Sequence, residues 1–247
     1  WNLFYLYKLK NLLESYNFSN VYDLQNSRRT YFYRKYFLKN SNWSSTEEAL
    51  QQGEKKEDFD KEGVLKRMEI QLNKSQIKTK FTNNLDLSWM ITDISKIINQ
   101  YTSGDYIMLF PFCSKKNKNK KWPHFKELIQ KLKQYYKNKY SIIIAPGPGE
   151  IEEAQKLNAK IVLLNNMPVD VNILASLISR AKFIVSNDTG PAHICSHLNK
   201  NGLALFGSHT SPDKVSIGSK NFKTINVQYL KDLTSEVVLQ KITEVLN

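Results

Sequence analysis

The stretch FIVSNDTGPAHICSHLNKNGLALFGSHTS, residues 183–211, decides the fold of this chain. It predicts a strand, a turn, a helix, a second strand and a second turn, because two short apolar runs alternate with polar, turn-forming segments. Asp188, Thr189 and Gly190 then follow the carboxyl end of a parallel strand and begin a helix. Ligands bind at this position in open α/β sheets, and the free N–H groups there favour anions such as a pyrophosphate. The second turn, residues 207–210, is expected beside the first, so that two polar loops meet at one crevice.

The rest of the carboxyl-terminal sequence repeats this alternation of strand and helix. Further strands are predicted at 105–110, 141–146, 160–164 and 222–226, and helices at 124–137, 150–157, 171–181 and 235–246. Strands separated by helices of this length imply βαβ units and a mainly parallel sheet. We therefore predict an α/β, Rossmann-like domain over residues 101–247.

Residues 1–100 are predicted to be the remainder of an amino-terminal domain and a linker. The pattern favours helices at 1–16, 28–38 and 64–72, a strand at 20–25, and a charged, solvated loop at 53–63. No complete β/α repeat is recognised in this part, and its sheet partners are expected to precede Trp1.

Composition sets broad limits on function. The 247 residues carry a formal net charge of +13, which suits polyanionic partners, although a Lys/Asn-rich bias explains the same charge without a partner. Cys113 and Cys195 lie far apart and form no CxxC pair, as expected for free thiols in a reduced compartment. No apolar run approaches the roughly 18 residues of a membrane span, and no secretory signal is visible.

The loop after the first strand of the Rossmann-like domain, residues 111–125, combines polar and basic side chains. Ser114 can donate a hydrogen bond to phosphate, and Lys120 and Lys121 place positive charge just before a helix. A solvated basic loop is the alternative interpretation. Trp122 is expected to be a packing anchor rather than a ligand contact.

The next two strand-end loops offer an acid and a thioether. Glu150 ends the sequence PGPGE, where it can either cap a helix or hydrogen-bond a ribose hydroxyl. In LNNMPVD, residues 164–170, Asp170 is a candidate helix cap, and Met167 either contacts a flat base or packs in the core.

Two histidines follow the opening motif. His193 and His197 have the i, i+4 spacing that can bind a metal, but no HExxH glutamate or third ligand accompanies them. We therefore predict no metal site and no cofactor, and we expect His193 to contact phosphate near the helix start.

The order of these loops is more specific than any one of them, and it resembles glycosyltransferase family 9, the lipopolysaccharide heptosyltransferases. The resemblance covers about residues 105–215, and extends weakly to VYDLQNSRRT at 21–30. It rests on the Ser114 loop followed by KKWP, GPGE, NDTGPAH and LFGSHT, each after a successive strand.

The resemblance implies a GT-B fold of two Rossmann-like domains, of which the amino-terminal one is expected to be incomplete in this chain. It also implies a donor site made of strand-end side chains: Ser114 and Lys120 for the phosphates, Glu150 for the ribose, Met167 for the base, and Asp188, Thr189, Gly190 and His193 for the pyrophosphate and the sugar. Cys113 stands where the family carries a hydroxyl residue.

The implied reaction is inverting, metal-independent transfer of a sugar, with heptose from ADP-heptose as the expected donor. The expected acceptor is an anionic glycolipid, lipopolysaccharide core or a related surface glycan. Its charge would be attracted by Arg28, Arg29, Arg34 and Lys35, for which a solvated basic face is the alternative interpretation. The enzyme is expected in the cytoplasm, with peripheral contact to the cytoplasmic face of the inner membrane. The family's candidate base, an aspartate in the first β/α loop, would precede Trp1, so no general base is assigned.

Three alternatives accompany this interpretation. They are a glycosyltransferase with another nucleotide-sugar donor, a non-catalytic homologue, and a basic nucleic-acid-binding protein suggested by the charge and by the aromatic, basic run at 31–37. The last lacks any recognisable nucleic-acid-binding motif, so no nucleic-acid partner is predicted.

Overall fold

The chain forms two compact units, Trp1–Asn83 and Asn84–Asn247. The computed structural model describes residues 2–79 and 85–247. Within these residues, no helix has both the length and the apolar character needed to cross a bilayer.

The first unit contains a small parallel sheet among short helices. Its described elements, in chain order, are α1 (Leu3–Ser15), β1 (Asn20–Tyr22), α2 (Arg28–Tyr36), β2 (Asn42–Ser44), α3 (Thr46–Ala49), α4 (Lys56–Phe59) and α5 (Val64–Lys74). Strands β1 and β2 pair in parallel around α2, so the segment is a complete β/α/β unit. The expectation that this part has no such repeat was wrong, because the three residues of β2 are too few to show an alternating pattern.

One buried glutamine fixes this small sheet. Gln71 of α5 donates from Nε2 to the carbonyl oxygens of Asp23 and Ser44, at 3.1 and 2.9 Å. The carboxylate of Asp23 accepts the backbone N–H groups of Gln25 and Asn26. Asp23 therefore has a structural role, since its carboxylate shapes the turn after β1.

The second unit is a parallel sheet with helices between its strands. Its strands are β3 (Tyr106–Phe110), β4 (Ser141–Ile144), β5 (Lys160–Ile161), β6 (Phe183–Asn187), β7 (Gly202–Phe206) and β8 (Phe222–Asn226). Its helices are α6 (Ser95–Ile98), α7 (Phe125–Tyr135), α8 (Ile151–Ala154), α9 (Val171–Arg180), α10 (Gly190–His197), α11 (Pro212–Val215) and α12 (Ser235–Leu246), with 3-10 turns at Ser88–Met90, Lys118–Lys120 and Leu230–Asp232.

The strands of the second unit lie in the order β5-β4-β3-β6-β7-β8, and every pair is parallel. This is the 3-2-1-4-5-6 order of a Rossmann sheet, in which the direction of winding reverses between the first and fourth strands. Loops that follow β3 and β6 therefore diverge to opposite faces, and a crevice opens between them. The sheet is Rossmann-like, as predicted, and its reversal point lies beside β6, in the stretch 183–211 from which the fold was predicted.

Both faces of the large sheet are covered. Ile107 and Leu109 of β3 belong to a core shared with α7 and α12, whereas Tyr106, Met108 and Phe110 point into a second core shared with α9 and α10. A strand buried on both sides needs no polar face. This explains why β3 is a continuous apolar run rather than an alternating one.

The division between the units differs from the boundary predicted at residue 100. Ile94 and Ile98 are buried in the same core as Tyr106 and Met108 of β3, so the segment before β3 belongs to the second unit. This segment is short and shows no alternation of strands and helices, so its sequence pattern predicted a linker. The functions assigned to the two units remain predictions.

Gly202 offers a test of how tightly the sheet and its helices are packed. A Cβ at Gly202 would lie 2.5 Å from the carbonyl oxygen of Ile184 and 2.8 Å from the Phe222 ring, whereas one at Gly104 would have no heavy atom within 4 Å. We expect Gly202→Ala to lower the free energy of unfolding by about 1–3 kcal/mol or more, because it overpacks two adjacent strands. Gly104→Ala serves as the control and should change it by less than about 1 kcal/mol. Equal losses in the two variants, measured by denaturant unfolding, would contradict this packing.

Candidate functional site

A cavity of about 520 Å³ opens at the carboxyl end of the large sheet, at the reversal point. Three strand-end segments contribute to its wall: Phe112, Cys113 and Ser114 after β3, Pro146, Gly147 and Glu150 after β4, and Thr189, Gly190 and Pro191 after β6. Ligands of open α/β sheets bind in this crevice. The fold thus places the main polar loops of the sequence around one space.

One side of the cavity is apolar. Val169, Val171 and Leu174, at and before the start of α9, line it together with Phe110. Asp170 caps this helix by accepting the N–H of Ile173 at 2.8 Å, which confirms its predicted role. A flat, apolar group such as a nucleobase is suited to this side of the cavity.

Asn187 fastens the loop after β3, which forms part of the cavity wall. It is fully buried at the end of β6, accepts the N–H of Trp122 at 3.1 Å, and donates to the carbonyl oxygen of Phe112 at 3.4 Å. Trp122 is itself fully buried and donates from its indole to the carbonyl oxygen of Leu233 at 2.7 Å. The tryptophan is therefore a packing anchor, as predicted, and the lysine loop is fastened at two points.

Asp188 is a buried carboxylate with two basic partners. Its Oδ2 lies 2.6 Å from Nζ of Lys120 and 3.1 Å from Nε2 of His209, and its side chain is only 3% exposed. The three side chains come from the loops after β3, β6 and β7. The geometry brings predicted residues Lys120 and Asp188 together, and Lys121 instead pairs with Glu153 of α8.

The amino end of α10 faces the cavity. Thr189 occupies the N-cap position without a side-chain capping bond, and Gly190 and Pro191 form the first positions of the helix. The first backbone N–H groups of a helix have no partner within it, and the helix dipole adds positive potential there. This end of α10 can therefore bind an anion in the cavity.

Ser114 and Cys113 belong to a loop that is bonded to itself. The side-chain amide of Asn117 donates to Oγ of Ser114 at 3.0 Å, and Sγ of Cys113 donates to the carbonyl oxygen of Asn117 at 3.2 Å. Burial raises the pKa of the Cys113 thiol, which therefore stays protonated at neutral pH. The cavity wall thus presents a hydroxyl beside a neutral thiol.

Glu150 stabilises its own loop. Its Oε2 accepts the N–H of Gly147 at 2.7 Å, while Gly149 has the positive φ of +79° that favours glycine. Partial burial raises the pKa of this carboxyl, and the bond from Gly147 opposes that shift. Oε1 and the second lone pair of Oε2 remain as acceptors for a ligand hydroxyl in the cavity.

Four predicted site residues are not part of the cavity wall: Lys120 and Asp188, which pair with each other, and Met167 and His193. Met167 is 64% exposed in a tight turn closed by its pairing with Leu164, and neither the base-contact nor the core-packing interpretation is visible in this arrangement. His193 is half-buried one turn into α10, where burial lowers its pKa and the nearby charge of Asp188 opposes that shift. Among the residues described, no group of three or more His, Cys, Asp or Glu side chains is placed to hold a metal ion.

His209, which the structure places against Asp188, was not among the site residues predicted from the sequence. The available signal was its position in the polar turn after β7, which was already expected to lie beside the Asp188 turn. A histidine in that turn could have been tested as a partner for the aspartate.

The chain matches the sequence profile of "Glycosyltransferase family 9 (heptosyltransferase)" over residues 7–242. It belongs to this family. The predicted resemblance is thereby confirmed, and the match also includes the first unit.

Relatives within glycosyltransferase family 9 define the extent of the similarity. The chain is 27% identical over 147 residues to lipopolysaccharide heptosyltransferase 1 of Escherichia coli, a match that covers 57% of this chain and 44% of that relative. Less than half of that relative is therefore matched, and its activity does not pass to this chain on sequence similarity alone.

Solved structures of the family confirm the α/β, GT-B fold class. Escherichia coli ADP-heptose lipopolysaccharide heptosyltransferase II aligns with a TM-score of 0.72 at 20% identity, over 97% of this chain and 80% of that one. Escherichia coli heptosyltransferase WaaC with ADP aligns with a TM-score of 0.65 at 19% identity, over 95% of this chain and 75% of that one.

The substitution Asn187→Ala tests whether Asn187 fastens the loop after β3 beside the cavity. The substitution leaves the N–H of Trp122 and the carbonyl of Phe112 without this partner in a buried region, so the free energy of unfolding should fall by about 2 kcal/mol. Asn221→Ala, at an exposed asparagine, is the control and should change it by less than about 0.5 kcal/mol. Chemical denaturation measures both, and comparable stability of the two variants would show that Asn187 does not fasten the loops.

Proposed function

We propose that the protein is an inverting glycosyltransferase that transfers heptose from ADP-heptose to lipopolysaccharide core or a related surface glycan. Membership of glycosyltransferase family 9 supports the reaction class, and two structural relatives are named for ADP-heptose or for ADP. The observation that carries the proposal is the cavity at the sheet reversal, with the Asp188–Lys120 pair directly before the start of α10.

The donor is proposed to lie across this cavity. Ser114, Thr189 and Gly190 offer hydroxyl and N–H donors to the diphosphate, and Oε1 of Glu150 accepts from the ribose. The nucleobase of the donor is assigned to the apolar side of the cavity at Val169 and Leu174 rather than to Met167, because these two residues line the cavity. His193 is assigned to the far end of the pyrophosphate, close to the charge of Asp188.

The proposed step is a single displacement at the anomeric carbon of the donor sugar. The acceptor hydroxyl oxygen forms the new bond, the bond from the anomeric carbon to the diphosphate oxygen breaks, and its electron pair leaves with the nucleoside diphosphate. The hydroxyl proton passes to a general base, which we do not assign. Lys120 and the amino end of α10 stabilise the negative charge that grows on the leaving group.

The first unit is proposed to receive the acceptor. Arg28, Arg34 and Lys56 line a pocket of about 200 Å³ in it, together with Ser27 and Thr46. Arg34 is paired with Glu48 at 2.5 Å and with Glu47 at 3.5 Å. Glu47 and Asp23 also line the pocket, so Arg28 and Lys56 carry most of the attraction for an anion. Cations in such a pocket attract the phosphate groups of a glycolipid, and we place the reaction at the cytoplasmic face of the inner membrane, where such an acceptor is available.

A different nucleotide-sugar donor and a non-catalytic role are the alternatives to this proposal. Transfer assays with ADP-heptose and with UDP- and GDP-sugars, using truncated lipopolysaccharide as acceptor, distinguish them. Transfer from another donor alone would correct the donor, whereas nucleotide binding without transfer to any acceptor would indicate a non-catalytic homologue.

Replacement of Lys120 tests the charge that stabilises the leaving group. We expect Lys120→Ala to lower kcat/KM for ADP-heptose by about a hundredfold or more, since it removes a cation from the developing diphosphate. Lys121→Ala is the matched control, because the neighbouring lysine pairs with Glu153, and its kcat/KM should stay within about threefold of the original. Undiminished transfer by Lys120→Ala would exclude the proposed role.

Replacement of Glu150 tests the ribose contact. The original protein should bind ADP more tightly than 2′-deoxy-ADP, and Glu150→Gln should reduce this preference by about tenfold, because a charged acceptor binds a hydroxyl more strongly than a neutral one. Calorimetric titration measures the two affinities. If Glu150→Gln retains the full preference, the carboxylate serves only its own loop.

A further inference from the structure

His209 is the unassigned group with the closest connection to the site. Its side chain is 5% exposed, its ring stacks on Phe206 at a centroid distance of 6.2 Å, and its Nε2 lies 3.1 Å from Oδ2 of Asp188. Its other ring nitrogen, Nδ1, is buried and has no hydrogen-bond partner among the residues described. Among the residues described, Asp188 is therefore the one hydrogen-bond partner of the His209 ring.

The proposed contact of Lys120 with the donor competes with its ion pair to Asp188. Lys120 must direct its ammonium group at the donor diphosphate, yet it lies 2.6 Å from a carboxylate that is 3% exposed. A buried carboxylate that loses its charged partner is strongly destabilised. Unless another group stays with Asp188, donor binding has to overcome that loss.

We propose that His209 is the positioning residue that keeps Asp188 satisfied when Lys120 turns towards the donor. Both partners bind the same oxygen, Oδ2, and they come from different loops, so one can leave while the other remains. The ring of His209 is held by Phe206 of β7, which fixes Nε2 in place. The exchange breaks and forms hydrogen bonds only, and His209 increases donor affinity without contacting the donor.

Binding of a nucleoside diphosphate to the full chain tests this inference, which rests on the proposed function. His209→Phe keeps a ring against Phe206 but removes the bond to Asp188, and it should weaken ADP binding about tenfold in calorimetric titration, the loss of one hydrogen bond to a charged group. His209→Gln places an amide N–H near the position of Nε2 and should stay within about threefold, whereas the shorter His209→Asn should resemble His209→Phe.

His124→Phe is the matched control. His124 also uses Nε2 in a bond to an oxygen, the carbonyl of Lys231 at 2.9 Å, but it does not contact Asp188. This variant should bind ADP as the original protein does. The contrast between glutamine and asparagine at position 209 keeps the test valid even if the phenylalanine variant does not fold.

A double-mutant cycle shows whether His209 acts through Asp188. In an Asp188→Asn background, where no buried charge has to be kept paired, the further change His209→Phe should leave the affinity for ADP unchanged. An equal loss in both backgrounds would overturn the inference, and so would full ADP affinity of His209→Phe alone. If the original protein binds none of ADP, UDP and GDP, the proposed function fails first and the inference falls with it.

Discussion

The reversal of winding between β3 and β6 is the constraint on which the rest of the second unit depends. Parallel strands bring their carboxyl ends to one edge, and the reversal separates the loops at one point of that edge only. Asn187 lies at this point, at the end of β6, and bonds to both ends of the loop after β3, so it ties the two strand ends that flank the crevice. The position of the cavity thus depends on the order of the strands and on the buried side-chain amide of Asn187.

Much of this was predictable because the relevant residues act locally. Continuous apolar runs identify strands buried on both faces, and the Asp170 cap, the Trp122 anchor and the NDTGP helix start each follow from a few neighbouring residues. What the sequence could not supply depends on long-range packing. Gln71 of α5 supports the short strand β2 by bonding both to Ser44 at its end and to Asp23 after β1. The segment holding Ile94 joins the second unit through burial in its core.

The site divides in the same way. Ser114, Glu150, Thr189 and Gly190 reach the cavity because each lies in the segment that follows a strand of the large sheet. Met167 instead lies in a tight turn closed by its pairing with Leu164, which its loop sequence did not reveal. The contact of Lys120 with Asp188 spans 68 positions of sequence, and that of His209 with Asp188 spans 21. Such pairs depend on which loops become neighbours, and only the strand order decides that.

The bond from Trp122 to Leu233 ties the loop that carries Lys120 to the segment before α12. Leu233 lies two residues before α12, which begins at Ser235. Helix α12 and the loop that carries Lys120 are thus linked through one buried hydrogen bond. A substitution in α12 that shifts Leu233 would therefore also shift this loop, and with it the donor site proposed above.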